Sequence, residues 1–210
     1  QTVANLHILD NLPPEMQYVR MTATNKNGSG FALLHSFGTG GSDGLNPVAA
    51  VVVGSDNFLY GTTYSGGGNA SGTAFQVKTN GTGYKVLYSF GKNESDGLAP
   101  SAAVVEATDG NLYGTTEQGG TAGYGTVFKM KKDGTNYSVL SSFGISDTDG
   151  QSPTSALLAG SDGVLYGTTE SGGSVGSGTV FKINRAGTGF TTLCRKLCRQ
   201  RLTTKFPTKE

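Results

Sequence analysis

The chain has no tryptophan and only two cysteines, Cys194 and Cys198, which lie close together near its end. No disulfide framework can therefore hold the preceding residues together. No apolar run approaches the ~20 residues that a membrane helix needs. Charged residues make up only 15% of the chain, and the two signs nearly balance. This composition argues against a nucleic-acid partner and against an anionic membrane surface.

Glycine is present in excess, with 34 among 210 residues, and it recurs at a regular spacing. Three copies of Leu-Tyr-Gly-Thr-Thr place Tyr60, Tyr113 and Tyr166 at a spacing of ~53 residues with no insertion between them. β-Branched residues stand between the glycines. Such a pattern predicts many short strands joined by tight turns.

Each repeat contains four segments with strand character. The first is a run of small apolar residues after a proline, at 49–53, 102–105 and 156–158. The second is Leu-Tyr-Gly-Thr-Thr, the third is Gly-Thr-x-Phe, and the fourth ends in Ser-Phe. We therefore predict an all-β fold of tandem ~53-residue four-stranded repeats, β-propeller-like, with three full blades plus a partial blade. The first strand should lie innermost, and Tyr113 and Phe128 should pack between neighbouring blades.

The repeat pattern predicts the organisation of the chain. Residues 1–20 form a non-repeat N-terminal segment, 21–193 a repeat domain, and 194–210 an atypical basic tail without glycine. The repeat domain divides into a partial unit at 21–37 and full units at 38–90, 91–143 and 144–193. Three ways of completing the array remain open. The N-terminal strands combine with the tail into a mixed blade, several chains associate, or the true protein is longer. Exposed strand edges favour association with other chains.

The combination of Ser-Phe, Asp-Gly-x-x-Pro, Asp-Gly-Asn-Leu-Tyr-Gly-Thr-Thr, Gly-Gly and Gly-Thr-Val-Phe-Lys resembles the bacterial GloVer-type tandem repeat. That repeat is found in cell-surface or secreted "choice-of-anchor" proteins, and the resemblance covers about residues 21–193. It implies a propeller-like array outside the cytoplasm and transfers no catalytic residue. A chain that begins at Gln1 also fits a mature form whose signal peptide has been removed. We therefore expect an extracellular or cell-surface location.

Two aspartates recur in every unit, before the proline and before Leu-Tyr-Gly. We interpret them as structural turn residues, in which Asp-Gly supplies left-handed backbone positions and side-chain hydrogen bonds. The alternative is calcium, which takes carboxylates and carbonyls in glycine-rich loops, but the spacing Asp-x-Asp-x-Asp is absent. We predict no metal site and no cofactor, with calcium the less favoured alternative. The residues are Asp43, Asp96, Asp149, Asp56, Asp109 and Asp162.

The candidate ligand-binding residues are those that differ between units in the loops after Thr-Thr. They are Tyr64, Asn69, Glu117, Tyr124, Glu170 and Ser177. Tyrosine can stack on a sugar ring while glutamate and asparagine hydrogen-bond it; ordinary loop drift is the alternative. We predict a non-enzymatic extracellular scaffold for binding or assembly with itself, another protein or a surface glycan. The alternative is a carbohydrate-active enzyme with Glu117 and Glu170 as paired carboxylates.

Overall fold

The computed structural model describes residues 2–7, 20–25 and 29–193, and these residues form strands, turns and loops. No helix in this part of the chain is long and apolar enough to cross a membrane. The sheets are antiparallel and repeat along the chain, so the predicted all-β, propeller-like fold is confirmed.

An N-terminal sheet of three strands comes first, in the order β1-β2-β3. The strands are β1 (Thr2–His7), β2 (Arg20–Asn25) and β3 (Ala32–Ser36). Its second and third strands correspond to the predicted partial unit at 21–37. Its first strand comes from residues 1–20. This segment lacks Leu-Tyr-Gly-Thr-Thr, and the sequence therefore predicts that it lies outside the repeat. Met21 and Leu34 of this sheet pack against Leu59 and Phe75 of the next.

Three blades follow, and each is a four-stranded sheet accompanied by a two-stranded ladder. Blade 1 has β4 (Gly44–Leu45), β5 (Val52–Val53), β6 (Phe58–Thr63), β7 (Ser65–Gly66), β8 (Thr73–Lys78) and β9 (Lys85–Ser89). Blade 2 has β10 (Gly97–Leu98), β11 (Val105–Glu106), β12 (Asn111–Thr116), β13 (Gln118–Gly119), β14 (Thr126–Lys131) and β15 (Ser138–Ser142). Blade 3 has β16 (Gly150–Gln151), β17 (Leu158–Ala159), β18 (Val164–Thr169), β19 (Ser171–Gly172), β20 (Thr179–Asn184) and β21 (Thr191–Thr192). The four-stranded sheets are ordered β5-β6-β8-β9, β11-β12-β14-β15 and β17-β18-β20-β21.

The first strand of each blade is shorter than predicted, with only two paired residues, and it begins later. The cause is the segment before it. The residue ahead of each proline adopts a left-handed conformation, with φ of 56° at Asn46, 53° at Ala99 and 53° at Ser152. The segment after the proline then runs along the preceding blade, where Ala102 O accepts a hydrogen bond from Thr62. Only the last residues of this segment pair with the second strand of their own sheet.

Aromatic and aliphatic side chains fill the contacts between blades, as predicted for Tyr113 and Phe128. Tyr113 lies in a buried cluster with Leu157 and Phe181 of blade 3, and Phe128 in a cluster with Tyr60 of blade 1. We call each such contact a seam. The side of a blade that meets the following blade is its forward face, and the opposite side is its rear face. The seams hold most of the buried core.

The glycine of the first Asp-Gly pair in each unit is needed for a different reason from the one predicted. Gly44, Gly97 and Gly150 do not adopt left-handed φ values. A Cβ at Gly97 would lie 2.5 Å from Thr116 Cγ2 and 2.8 Å from Thr126 Oγ1. That threonine pair is buried, with the two hydroxyls 2.8 Å apart. The left-handed explanation holds instead for the second pair, at Gly110 and Gly163.

Candidate functional site

The first recurrent aspartate anchors the seams. Asp96 is only 3% exposed and accepts hydrogen bonds from the hydroxyls of Tyr137 (2.6 Å) and Tyr88 (2.9 Å). The backbone N–H groups of Lys92 and Gly97 donate to the same carboxylate. Burial first, and then the bond to Asp96, raise the pKa of Tyr137, so its hydroxyl remains a donor. The carboxylate thus fixes the turn and ties β9 of blade 1 to the residue that precedes β15 of blade 2.

Two aromatic rings stack above this aspartate in the seam between blades 1 and 2. The centroids of Tyr88 and Tyr137 are 3.7 Å apart at an interplanar angle of 14°. His35 and Tyr84 repeat the arrangement one seam earlier, at 3.4 Å and 9°. Burial lowers the pKa of His35 and outweighs neighbouring Asp43, which raises it. His35 is therefore mainly neutral near pH 7.

The third seam lacks this arrangement. Ser141 and Phe190 stand where the preceding seam has Tyr88 of blade 1 and Tyr137 of blade 2, so among the described residues no phenol donates to Asp149. Asp149 instead accepts hydrogen bonds from the backbone N–H and hydroxyl of Ser146, at 3.1 and 2.9 Å. A cavity of about 210 Å³ lies between Asp149, Phe190 and the neighbouring threonines.

The second recurrent aspartate closes the turn between the first two strands of each blade. Asp109 accepts a 2.7 Å hydrogen bond from the hydroxyl of Tyr113 and another from the N–H of Asn111. Partial burial raises the pKa of Asp109, but these hydrogen bonds outweigh it and hold the pKa below its ordinary value. Asp56 and Asp162 make the equivalent bonds to Tyr60 and Tyr166. Within the described ranges, no group of three His, Cys, Asp or Glu residues comes together to hold a metal ion.

Two clefts open on the seams. The first, of about 550 Å³, lies over the stacked tyrosines between blades 1 and 2, where Lys92 Nζ sits 4.2 Å from the Tyr88 ring centroid. The second, of about 500 Å³, lies between blades 2 and 3 and is bordered by Tyr124, Ile145, Asp147 and Gln151. The phenol ring of Tyr124 projects over Gly144, where any Cβ would meet it.

Of the six predicted ligand-binding residues, only Tyr124 borders one of these two clefts. Within the described residues, no hydrogen bond joins any two of the six. Asn69 donates to the carbonyls of Ser89 and Phe90 and so fastens its own loop, and the Tyr64 hydroxyl accepts a long 3.5 Å bond from Gln118. The side chains of Glu117 and Glu170 make no hydrogen bond in this part of the chain. Ser177 is exposed. It is the repeat equivalent of Tyr124, because each forms an isolated β-bridge with the first glycine of its loop, Gly172 and Gly119 respectively.

Several residues of the clefts do not follow from the sequence. Tyr88, Tyr137 and Lys92 are not present in every unit, so the repeat pattern does not single them out. The one sequence signal for the stacked rings is that Tyr84 and Tyr137 occupy equivalent positions. Ile145, Asp147 and Gln151 carry no such signal. They border the same cleft as Tyr124 because the loop after β15 and the start of β16 fold beside the loop that carries Tyr124. Sequence spacing alone does not reveal that approach.

These sheets, seams and clefts define a class, the β-propeller-like tandem-repeat proteins. The chain belongs to the Gloeobacter/Verrucomicrobia repeat family, whose sequence model matches residues 18–201. No protein of curated function matches the chain.

Solved structures support the same fold. TolB from Acinetobacter baumannii is similar with a TM-score of 0.58 and 14% identity, over 93% of this chain and 42% of TolB. A protein of unknown function from Dyadobacter fermentans DSM 18053 gives a TM-score of 0.54 and 12% identity, over 87% of this chain and 59% of that one. The chain thus spans between about two fifths and three fifths of these neighbours. At such identities the likeness extends to the fold alone.

Proposed function

We propose that the chain is a non-enzymatic extracellular scaffold that assembles by pairing the forward face of its third blade with a second copy. The observation that carries the proposal is Val180. It is 42% exposed, whereas its equivalents Val127 and Ala74 are 0% and 1% exposed. The register fixes the equivalence, since Thr168, Thr115 and Thr62 stand opposite these three residues in their sheets.

The same contrast extends across the forward face. Thr168 is exposed, while Thr62 and Thr115 are each 1% exposed. Tyr166 is only half-buried, while Tyr60 and Tyr113 are buried. In blades 1 and 2 these side chains lie under the next blade, and removing apolar surface from water is what stabilises a repeat array. A face with the same composition that no blade covers within the described residues favours association.

The N-terminal sheet is a more polar partner for this face than a blade of the repeat is. In the register of β2, Thr22 and Thr24 hold the positions that Phe75 and Val77 hold in β8, on the rear face of blade 1. Threonine at these two positions makes this face more polar than the rear face of blade 1, although the face also carries Phe31 and Leu33, which are 66% and 49% exposed. We therefore infer that the apolar surface that pairs with it on a second copy is the forward face of that copy's own blade 3, because such a two-fold contact closes after two chains.

The extracellular location is part of the same proposal. It is supported by the resemblance of the repeat to units of cell-surface and secreted proteins. Fractionation of cells that produce the chain tests it directly. Recovery in the cytoplasmic fraction alone would contradict it.

The assembly is tested by light scattering on a sizing column over a concentration series. We expect a dimer that Val180→Lys converts to a monomer, because a buried lysine without a partner is costly. Val53→Glu is the matched control: Val53 is 59% exposed in blade 1, and its equivalent in blade 2 is Glu106. The control should remain dimeric.

Two outcomes would overturn the proposed assembly. One is a wild-type chain that stays monomeric throughout the series. The other is particles that grow without limit, since these require a head-to-tail contact with the N-terminal sheet.

A further inference from the structure

We propose that the cleft between blades 2 and 3 binds a neutral saccharide, with Tyr124 as the stacking platform and Asp147 and Gln151 as its hydrogen-bonding groups. This site is independent of the forward face of blade 3 and goes beyond the proposed assembly. At about 500 Å³ the cleft falls within the ordinary size range of small-molecule sites.

The platform is exposed and held in place. Tyr124 is 45% exposed, and one edge of its ring rests on the backbone of Gly144, where a Cβ would lie 3.0 Å from Tyr124 Cγ. Its backbone carbonyl accepts a 2.9 Å hydrogen bond from the N–H of Ser152 in the next unit. An aromatic ring fixed in this way offers a large apolar contact at low entropic cost.

Polar groups that lack hydrogen bonds to other described residues line the cleft that the ring borders. In the described residues, the Asp147 carboxylate, the Gln151 amide and the Tyr124 hydroxyl make no hydrogen bond. Asp149, by contrast, is engaged by Ser146. A carboxylate accepts from two hydroxyls and an amide both donates and accepts, which is the complement of a sugar edge. Ile145, 66% exposed, adds a second apolar contact.

The charge of the lining selects among saccharides. Asp147 and Asp149 border the cleft, and no lysine or arginine among the described residues does. Uronic acids, sialic acids and phosphorylated sugars would meet like charge without a compensating cation. The cleft between blades 1 and 2 differs, because Tyr88 is only 8% exposed and Lys92 covers its ring.

The repeat supplies its own negative control. Ser71 is the equivalent of Tyr124 in blade 1, where it bridges Gly66 as Tyr124 bridges Gly119. Tyr124→Ser therefore installs a residue that this loop accepts one unit earlier. It removes the platform and leaves the backbone contact to the next unit in place.

The test is a titration followed by NMR, with glucose, galactose, N-acetylglucosamine and their β-linked disaccharides as probes. We expect at least one to bind with a Kd of about 1 mM or tighter. Tyr124→Ser should weaken that binding at least about tenfold and Tyr124→Phe should largely retain it. Asp147→Asn, a change at an exposed residue, should weaken it without altering the melting temperature. Glucuronate should bind more weakly than glucose.

Three outcomes would overturn the inference: no binding by any probe, binding unchanged in both Tyr124→Ser and Asp147→Asn, or preference for the anionic sugar. Should Tyr124→Ser lose its native spectrum, Asp147→Asn still decides. The Val180→Lys variant separates the two proposals, since a monomer that binds sugar as wild type does leaves the cleft assignment intact.

Discussion

At the residue scale, glycine serves two purposes in this chain that look identical in the sequence. Both aspartates of a unit are followed by glycine in blade 2. Gly110 has a φ of 75° and open space where a Cβ would lie, whereas Gly97 has an ordinary φ and a crowded Cβ position. Blade 1 has Asn57 at the position of Gly110, with a φ of 62°. Asparagine tolerates the left-handed region but would not fit against the threonine pair.

We expect Gly97→Ala to lower the free energy of unfolding by about 1–3 kcal/mol, as overpacked core substitutions do. Gly110→Asn is the matched control and should change it by less than about 1 kcal/mol, because Asn57 already occupies the equivalent position. Urea titration measures both. Thr116→Ser removes the methyl that crowds position 97, so it should partly rescue Gly97→Ala. If the double variant is no more stable than the sum of its parts predicts, crowding is not the cause.

At the scale of the element, the seam between neighbouring units sets the stability of the array. A tyrosine hydroxyl bound to a buried carboxylate joins blades 1 and 2, and the seam between blades 2 and 3 has lost it. Phe190 stands where blade 2 has Tyr137, and a cavity of about 210 Å³ lies beside it. The chain therefore contains the same seam with and without this hydrogen bond.

Tyr137→Phe should cost about 1.5–3 kcal/mol, the usual effect of removing a hydrogen bond to a charged group. Phe190→Tyr should raise the free energy of unfolding by up to about 1 kcal/mol, because it offers a hydroxyl to Asp149 beside an existing cavity. Denaturant midpoints of the two variants and the wild type measure the effects. Equal midpoints for Tyr137→Phe and wild type would show that the bond to Asp96 contributes nothing to the seam.

How far the sequence predicts the structure differs between these elements. The second, third and fourth strands follow from residues that recur at ~53-residue spacing. β1 does not, because Thr2–His7 carries none of the recurring residues and joins the sheet only through its register with β2. Variation between units predicts Tyr124 as a ligand residue. It does not predict the partners Asp147 and Gln151, because they come from a different unit and meet Tyr124 only through the folded loop.

At the scale of the whole molecule, the array is a row of nearest-neighbour contacts. Blade 1 and blade 2 present nearly the same forward face, with Tyr60 and Ala74 in one and Tyr113 and Val127 in the other. Each is covered by leucine and phenylalanine from the blade that follows. Either forward face should therefore accept the rear face of blade 3, with a small loss of contact where alanine replaces valine.

We therefore expect a chain without residues 91–143 to fold, with blade 1 packed directly on blade 3. It should be less stable than wild type, because one blade and one seam are gone. It should still dimerise, since the forward face of blade 3 is unchanged. It should no longer bind saccharide, because Ser71 replaces Tyr124 beside the loop that carries Asp147. Circular dichroism checks folding and thermal stability, light scattering checks dimerisation, and the sugar titration checks binding. A folded deletion variant that is monomeric would place the dimer contact in blade 2, and one that still binds sugar would exclude Tyr124 as the platform.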